Sequence, residues 1–166
     1  MILALDLDDT LLRTDKTIGE RTQQALRRWL AGGHEIVVAT GRPPRWVHDV
    51  LPPELRSAPR VVYNGAQVIV GDRIVYRNEI APADVRTVVE WVQACRPHWH
   101  MGLEIDDALY LNRATEKSGA HTVADLLSLC ERPAAKIIFL FAEEREDLAP
   151  LLAALRAHFL PDGQAP

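Results

Sequence analysis

Three short, mostly apolar runs, Ile2 to Leu5, Glu35 to Ala39 and Val61 to Tyr63, follow one another with room for a single helix in each interval. Alternation of strand and helix with short connections restricts this part of the chain to a parallel sheet with right-handed crossovers. In the first interval, Glu20 to Ala31 carries Ala25, Leu26, Trp29 and Leu30 on one helical face, and Gly32-Gly33 ends the helix. In the second, Pro43-Pro44 favours a helix start, Trp46, Val47, Val50 and Leu51 face the core, and Pro52-Pro53 stops it. The expected fold class is α/β. Its carboxyl-terminal sheet edge, where ligands bind in open sheets of this kind, carries Asp6, Asp8, Thr40 and Asn64.

Gln67 to Val70, Gly71-Asp72 and Ile74 to Tyr76 read as a hairpin leading out of this sheet. From Pro82 the pattern changes. A helix to about Cys95 places Val85, Val88, Val89 and Val92 on one face, followed by strands near Trp99 to Ile105 and Ala108 to Asn112 about an Asp106-Asp107 turn. A short helix over Val123 to Leu129, a strand over Lys136 to Phe141 and a helix over Glu143 to His158 complete an α+β unit. The expected organisation is residues 1–80 as one half-core, 81–160 as a second domain, and 161–166 as a frayed tail.

The first run ends in three carboxylates, Asp6, Asp8 and Asp9, closed by Thr10. Side chains alternate along a strand, so Asp6 and Asp8 project on the same side. Two like charges about 4 Å apart at an effective dielectric near 20 repel by roughly 4 kcal/mol, which a proton or a bound cation relieves. Mg²⁺, a hard cation that prefers oxygen ligands, suits Asp6 and Asp8. With a metal holding a phosphate in line, Asp6 can attack phosphorus and a protonated Asp8 can protonate the leaving oxygen. The bland alternative is an acidic turn after a strand.

The pentapeptide DLDDT (Asp6 to Thr10) resembles the first motif of the haloacid dehalogenase superfamily, in which the first Asp is the nucleophile and the second the acid/base. EIVVATGR (Glu35 to Arg42) resembles the second, whose hydroxyl and neighbouring amides bind the transferring phosphoryl group; Thr40 and Gly41 fall there. VVYNGAQVIV (Val61 to Val70) resembles the third core strand and NGA turn of the Cof-type branch. The departure within the first motif is Asp9, where Gly is commonest. Arg42 either reaches the substrate or pairs with an acid of the loop, and Asn64 either positions substrate or only supplies the turn.

The resemblance implies a partial Rossmannoid parallel sheet with an α+β cap, and a Mg²⁺-dependent phosphatase of a small phosphorylated metabolite working through an aspartyl phosphate. It also implies a third-motif lysine and a fourth motif, GDxxND, and neither follows here. The lysines are Lys16, Lys117 and Lys136; the last opens KIIFLF, which resembles the final cap strand, and is read as a cap residue, with catalytic substitution for the missing lysine as its alternative. The match therefore covers about the N-terminal three fifths of such an enzyme, and impaired activity is expected of this chain alone. LLRTDKTI after the acidic loop resembles the family's flap beside the active site. Glu104, Asp106, Asp107 and Arg113 are read as solvated hairpin positions, with the leaving-group pocket as their alternative.

The formal charge of −4 argues against a nucleic-acid partner. No run is long enough to span a bilayer. Cys95 and Cys130 lack CxxC spacing and are read as buried free thiols of a cytoplasmic protein. His98 and His100 with Cys95 form only a weak zinc pattern. Two other classes compete with the phosphatase. One is a non-catalytic phosphate-binding or assembly module, whose first strand is an open sheet edge covered by a homo-oligomer or a C-terminal partner chain. The other is a receiver-like domain, which would need its acceptor Asp after the third strand, where YNGA stands.

Overall fold

In the computed structural model, which describes residues 1–116, 118–140 and 149–159, β1 (Ile2–Leu5), β2 (Glu35–Ala39) and β3 (Arg60–Val62) run parallel. The antiparallel β4 (Gln67–Val70) and β5 (Arg73–Arg77) extend them into a five-stranded sheet of order β1-β2-β3-β4-β5. The crossovers are α1 (Glu20–Ala31) and the very short α2 (Pro44–Val47). Leu7, Leu26, Val38, Val47, Leu55 and Val62 form the core of this unit. The hairpin turns at Gly71, whose φ of 60° explains the glycine.

A second, four-stranded sheet of order β8-β7-β6-β9 comprises β6 (Met101–Ile105), β7 (Ala108–Leu111), β8 (Thr122–Val123) and β9 (Lys136–Phe139). Asp106 and Asp107 both have positive φ, 48° and 59°, forming the two-residue turn between β6 and β7. Val85, Val88, Val89 and Val92 of α3 (Pro82–Cys95) pack on this sheet with Trp99, Leu103 and Ile105. The described part of the last helix is α4 (Ala149–Phe159); Phe141 and the expected helical residues Glu143 to Leu148 lie outside the described residues, as does the tail.

Several elements differ from expectation for identifiable reasons. The helix after Pro43 is one turn, continued by a 3-10 turn over His48–Val50, because the chain must already bend toward Pro52. Trp46 is consequently 39% exposed rather than in the core. β3 begins and ends one residue early, since Tyr63 and Asn64 adopt left-handed φ of 54° and 56°. No helix spans Val123 to Leu129: Val123 instead pairs in parallel with Leu111, and Leu126–Leu129 forms a 3-10 turn whose amide at Leu127 is accepted by the Asp125 carboxylate at 3.1 Å. Cys130 is buried, but Cys95 is exposed at the end of α3. Among the described residues, no helix is long and apolar enough to cross a membrane. Among the described residues β1 pairs on one side only, with β2, and Ile2 is 67% exposed.

The two sheets are fastened by a charged cluster. Arg45 of α2 donates through Nη2 and Nη1 to the two carboxylate oxygens of Glu104 on β6, both at 2.8 Å, and through Nη1 to the Asp107 side chain at 3.1 Å. The Tyr63 hydroxyl donates to Asp107 at 3.2 Å. Burial, with Glu104 and Asp107 beside it, pushes the Tyr63 phenol far above its ordinary pKa, so it remains a donor. Because Glu104 is 4% exposed, removing its guanidinium partner leaves a buried carboxylate uncompensated. Arg45→Met is therefore expected to lower unfolding stability by about 3 kcal/mol, measured by urea denaturation, whereas Arg45→Met combined with Glu104→Leu recovers most of that loss.

Candidate active site

The acidic loop leaves β1 at Leu5 and is pinned by its own backbone. Leu12 donates to the Leu7 carbonyl at 2.7 Å and Leu11 to the Asp6 carbonyl at 3.3 Å, while Leu7, Leu11 and Leu12 are buried beneath. Asp9 sits at a φ of 57°, a conformation that Asp tolerates and Gly adopts freely. Asp6 is exposed and accepts a hydrogen bond from Thr10 Oγ1 at 2.9 Å.

β2 delivers Thr40, 6% exposed, beside this loop. The amide of Thr40 donates to Val61, and its hydroxyl oxygen accepts from the Arg42 amide at 3.2 Å. Gly41 admits a close neighbour. A Cβ there would lie 2.5 Å from Asn64 Oδ1, so any larger residue would displace the Asn64 carboxamide from the turn. The left-handed Asn64 returns its amide to the Thr40 carbonyl at 3.1 Å, closing the turn. Asn64 thus supplies the turn and also borders the cleft that contains Asp6, Thr40 and Gly41, of about 400 Å³.

Asp8 opens onto a second cleft of about 410 Å³ between the two sheets, with Gly41, Arg42, Trp46, Glu104 and Lys136 on its walls. Gly41 borders both clefts. Of the two alternatives for Arg42, the structure has the pairing: its Nε and Nη2 each donate to Asp8 at 2.7 Å, a bidentate contact. Lys16 donates to the same carboxylate at 2.8 Å from the flap. Hydrogen bonds from Arg42, then Lys16, hold the Asp8 carboxyl well below the usual carboxylate range. In this arrangement Asp8 is ionised, which corrects the expectation that it stands protonated. The Asp8 main-chain carbonyl accepts no hydrogen bond among the described residues.

All six residues singled out in the sequence, Asp6, Asp8, Thr40, Gly41, Arg42 and Asn64, therefore meet around Gly41. Glu104 and Asp107 are not solvated hairpin residues, as they engage Arg45. Asp106 pairs with Arg132 at 2.6 Å, and the Arg113 carbonyl contacts His100 Nε2 at 2.8 Å. Lys16 and Lys136 escaped assignment to the site. Lys16 has a signal, its place in the flap sequence, and Lys136 is weighed in the sequence only as the alternative to a cap residue.

The sequence profile of haloacid dehalogenase-like hydrolases matches residues 3–162. The chain belongs to that family. The 5-amino-6-(5-phospho-D-ribitylamino)uracil phosphatase YitU of Bacillus subtilis is 42% identical over 67 residues, covering 40% of this chain and 25% of that protein. The pyridoxal phosphate phosphatase YbhA of Escherichia coli is 26% identical over 118 residues, covering 69% and 42%. The structure of TM0651 from Thermotoga maritima superposes with a TM-score of 0.78 at 23% identity, covering 95% of this chain and 62% of that one. The family fold is thus shared over nearly the whole chain, while the chain spans less than half the length of these two curated relatives.

In this haloacid dehalogenase-like chain the Asp8 ion pairs have a pH signature. A group whose folded pKa is depressed contributes stability that is complete above the ordinary aspartate range and is lost as acid protonates it. Carboxyl NMR titration is expected to find Asp8 still ionised well below pH 3.9, with Arg42→Gln moving its midpoint upward further than Lys16→Gln does.

Proposed function

We propose that this chain carries the nucleophile-bearing half of a phosphohydrolase that removes the phosphoryl group from a small phosphorylated metabolite. The observation that supports it best is the junction at Gly41, where a cleft with Asp6, Thr40 and Asn64 meets a cleft with Asp8 and Arg42. In the proposed sequence, Asp6 attacks phosphorus and the bond to the ester oxygen breaks. That oxygen takes a proton from Asp8, which must first exchange its Arg42 and Lys16 contacts for that proton. Ionised again, Asp8 takes a proton from water, which hydrolyses the acyl phosphate and frees Asp6 and inorganic phosphate. The Thr40 hydroxyl donates to a phosphoryl oxygen throughout. Two relatives named as phosphatases of phosphorylated heterocyclic metabolites support the substrate class.

Mg²⁺ fits the donor set, since the open Asp6 carboxylate and the unused Asp8 carbonyl are oxygen ligands, with water and substrate phosphate as the rest of a usual shell. The Asp8 side chain is not available to it in this arrangement, and no cluster of three His, Cys, Asp or Glu side chains suited to a metal occurs among the described residues. When bound, the ion would neutralise charge on the phosphoryl group. Phosphomonoester hydrolysis needs up to about 10²¹-fold acceleration, and the chain lacks the third-motif lysine and the GDxxND carboxylates. The second reading, a phosphate-binding or assembly module, draws on the one-sided pairing of β1; it requires association in solution, and a strictly monomeric species in light scattering would count against it.

A turnover assay with p-nitrophenyl phosphate and a panel of sugar phosphates in Mg²⁺ tests the proposal. The expected result for this chain is slow, Mg²⁺-stimulated release of phosphate that Asp6→Asn abolishes. Release unaffected by Asp6→Asn would overturn the assignment of the nucleophile.

A further inference from the structure

Lys136 is the first residue of β9, and on the adjacent antiparallel strand its direct partner is Glu104. Opposed residues of such a pair project on the same face, with Cβ atoms about 5 Å apart. An acid and a lysine so placed ordinarily neutralise each other. Here both oxygens of Glu104 are taken by Arg45 at 2.8 Å. The Lys136 ammonium instead reaches across 95 residues of sequence and donates to the Gly41 carbonyl at 3.2 Å.

That carbonyl belongs to the residue where the Asp6 and Asp8 clefts meet. Lys136 lines the Asp8 cleft, and it also borders an adjoining cavity with Tyr63 and Asn64. The other cations there are committed to carboxylates: Arg42 and Lys16 to Asp8, and Arg45 to Glu104 and Asp107. Among the described residues Lys136 makes no ion pair, and the hydrogen bond to a neutral carbonyl is what holds its charge. A phosphoryl oxygen is a stronger acceptor than that carbonyl, because both partners are then ionised.

Resting on the phosphatase reading above, we propose that Lys136 binds the transferring phosphoryl group from the second domain. Its Nζ exchanges the Gly41 carbonyl for a phosphoryl oxygen of the ester seated over Asp6 and Thr40. Arg45 acts as a positioning residue, because by occupying Glu104 it keeps the ammonium unneutralised. The lysine that the family pattern assigns to a later segment thus has a counterpart within this chain, at a position the sequence reads first as a cap residue.

The experiment is calorimetric titration of inorganic phosphate into the full chain with Mg²⁺ present. Lys136→Gln is expected to weaken binding about ten- to a hundredfold, as loss of a charged hydrogen bond does, and Lys136→Arg to restore most of it. Arg96→Gln, a charge change at the far end of α3, should leave the affinity unchanged. As a readout on the unaltered chain, phosphate should slow acetylation of Lys136 by acetic anhydride severalfold, followed by mass spectrometry, where equal chloride does not. Wild-type affinity in Lys136→Gln, loss without rescue by Lys136→Arg, or no phosphate protection would overturn the proposal while leaving Asp6 and Thr40 as the site. A wild-type chain that binds no phosphate would overturn this proposal and the phosphatase reading together.

Discussion

The contact between Arg45 and Glu104 determines what the clefts can be. Besides it, the two units meet through Tyr63 and Asp107, through Lys136 and the Gly41 carbonyl, and through Ala135 packed against the first core. With it, a buried carboxylate on β6 is tied by two hydrogen bonds to the helix that follows Thr40-Gly41-Arg42. A buried ion pair of this kind adds little net stability over apolar packing, but breaking it is costly. Its consequence is geometric: it fixes the wall bearing Lys136 against the turn bearing Gly41.

Charge at the site follows from the same economy of partners. Asp6 and Asp8 both follow the end of β1, yet they line different clefts. Asp8 is paired with Arg42 and Lys16, while Asp6 accepts a hydrogen bond from the Thr10 hydroxyl. The two acids of one motif therefore become chemically unlike. Asp6 is exposed, which suits the role proposed for it, whereas Asp8 is held by two cations.

Much of this was legible in the sequence, and the reason is locality. The three parallel strands and α1 announce themselves by apolar periodicity, and Asp6, Asp8, Thr40, Gly41 and Asn64 all stand where those strands end. The Asp106-Asp107 turn was equally readable, since adjacent residues of one type able to adopt positive φ bridge two apolar runs. What escaped depends on distant partners. Arg45 and Glu104 are 59 residues apart, so the sequence reading left Glu104 as a solvated hairpin residue. Thr122 and Val123 became a strand because β7 offered an unpaired edge, which outweighed their place at the head of a helical pattern. Trp46 fits an apolar stripe, yet α2 is too short to carry that stripe into the core.

The same logic bears on the open side of β1. A strand paired on one side exposes backbone donors and acceptors along the other, and here the acidic loop hangs from that strand's end. Ile2 and Met1, 67% and 82% exposed, place apolar surface beside the unpaired edge rather than the charges or proline that usually blunt one. Any element that pairs with β1 would run its own end toward Asp6, just as β2 brings Thr40 there in register with β1. Pairing at the open edge of β1 and the chemistry proposed for Asp6 therefore bear on one end of the same strand.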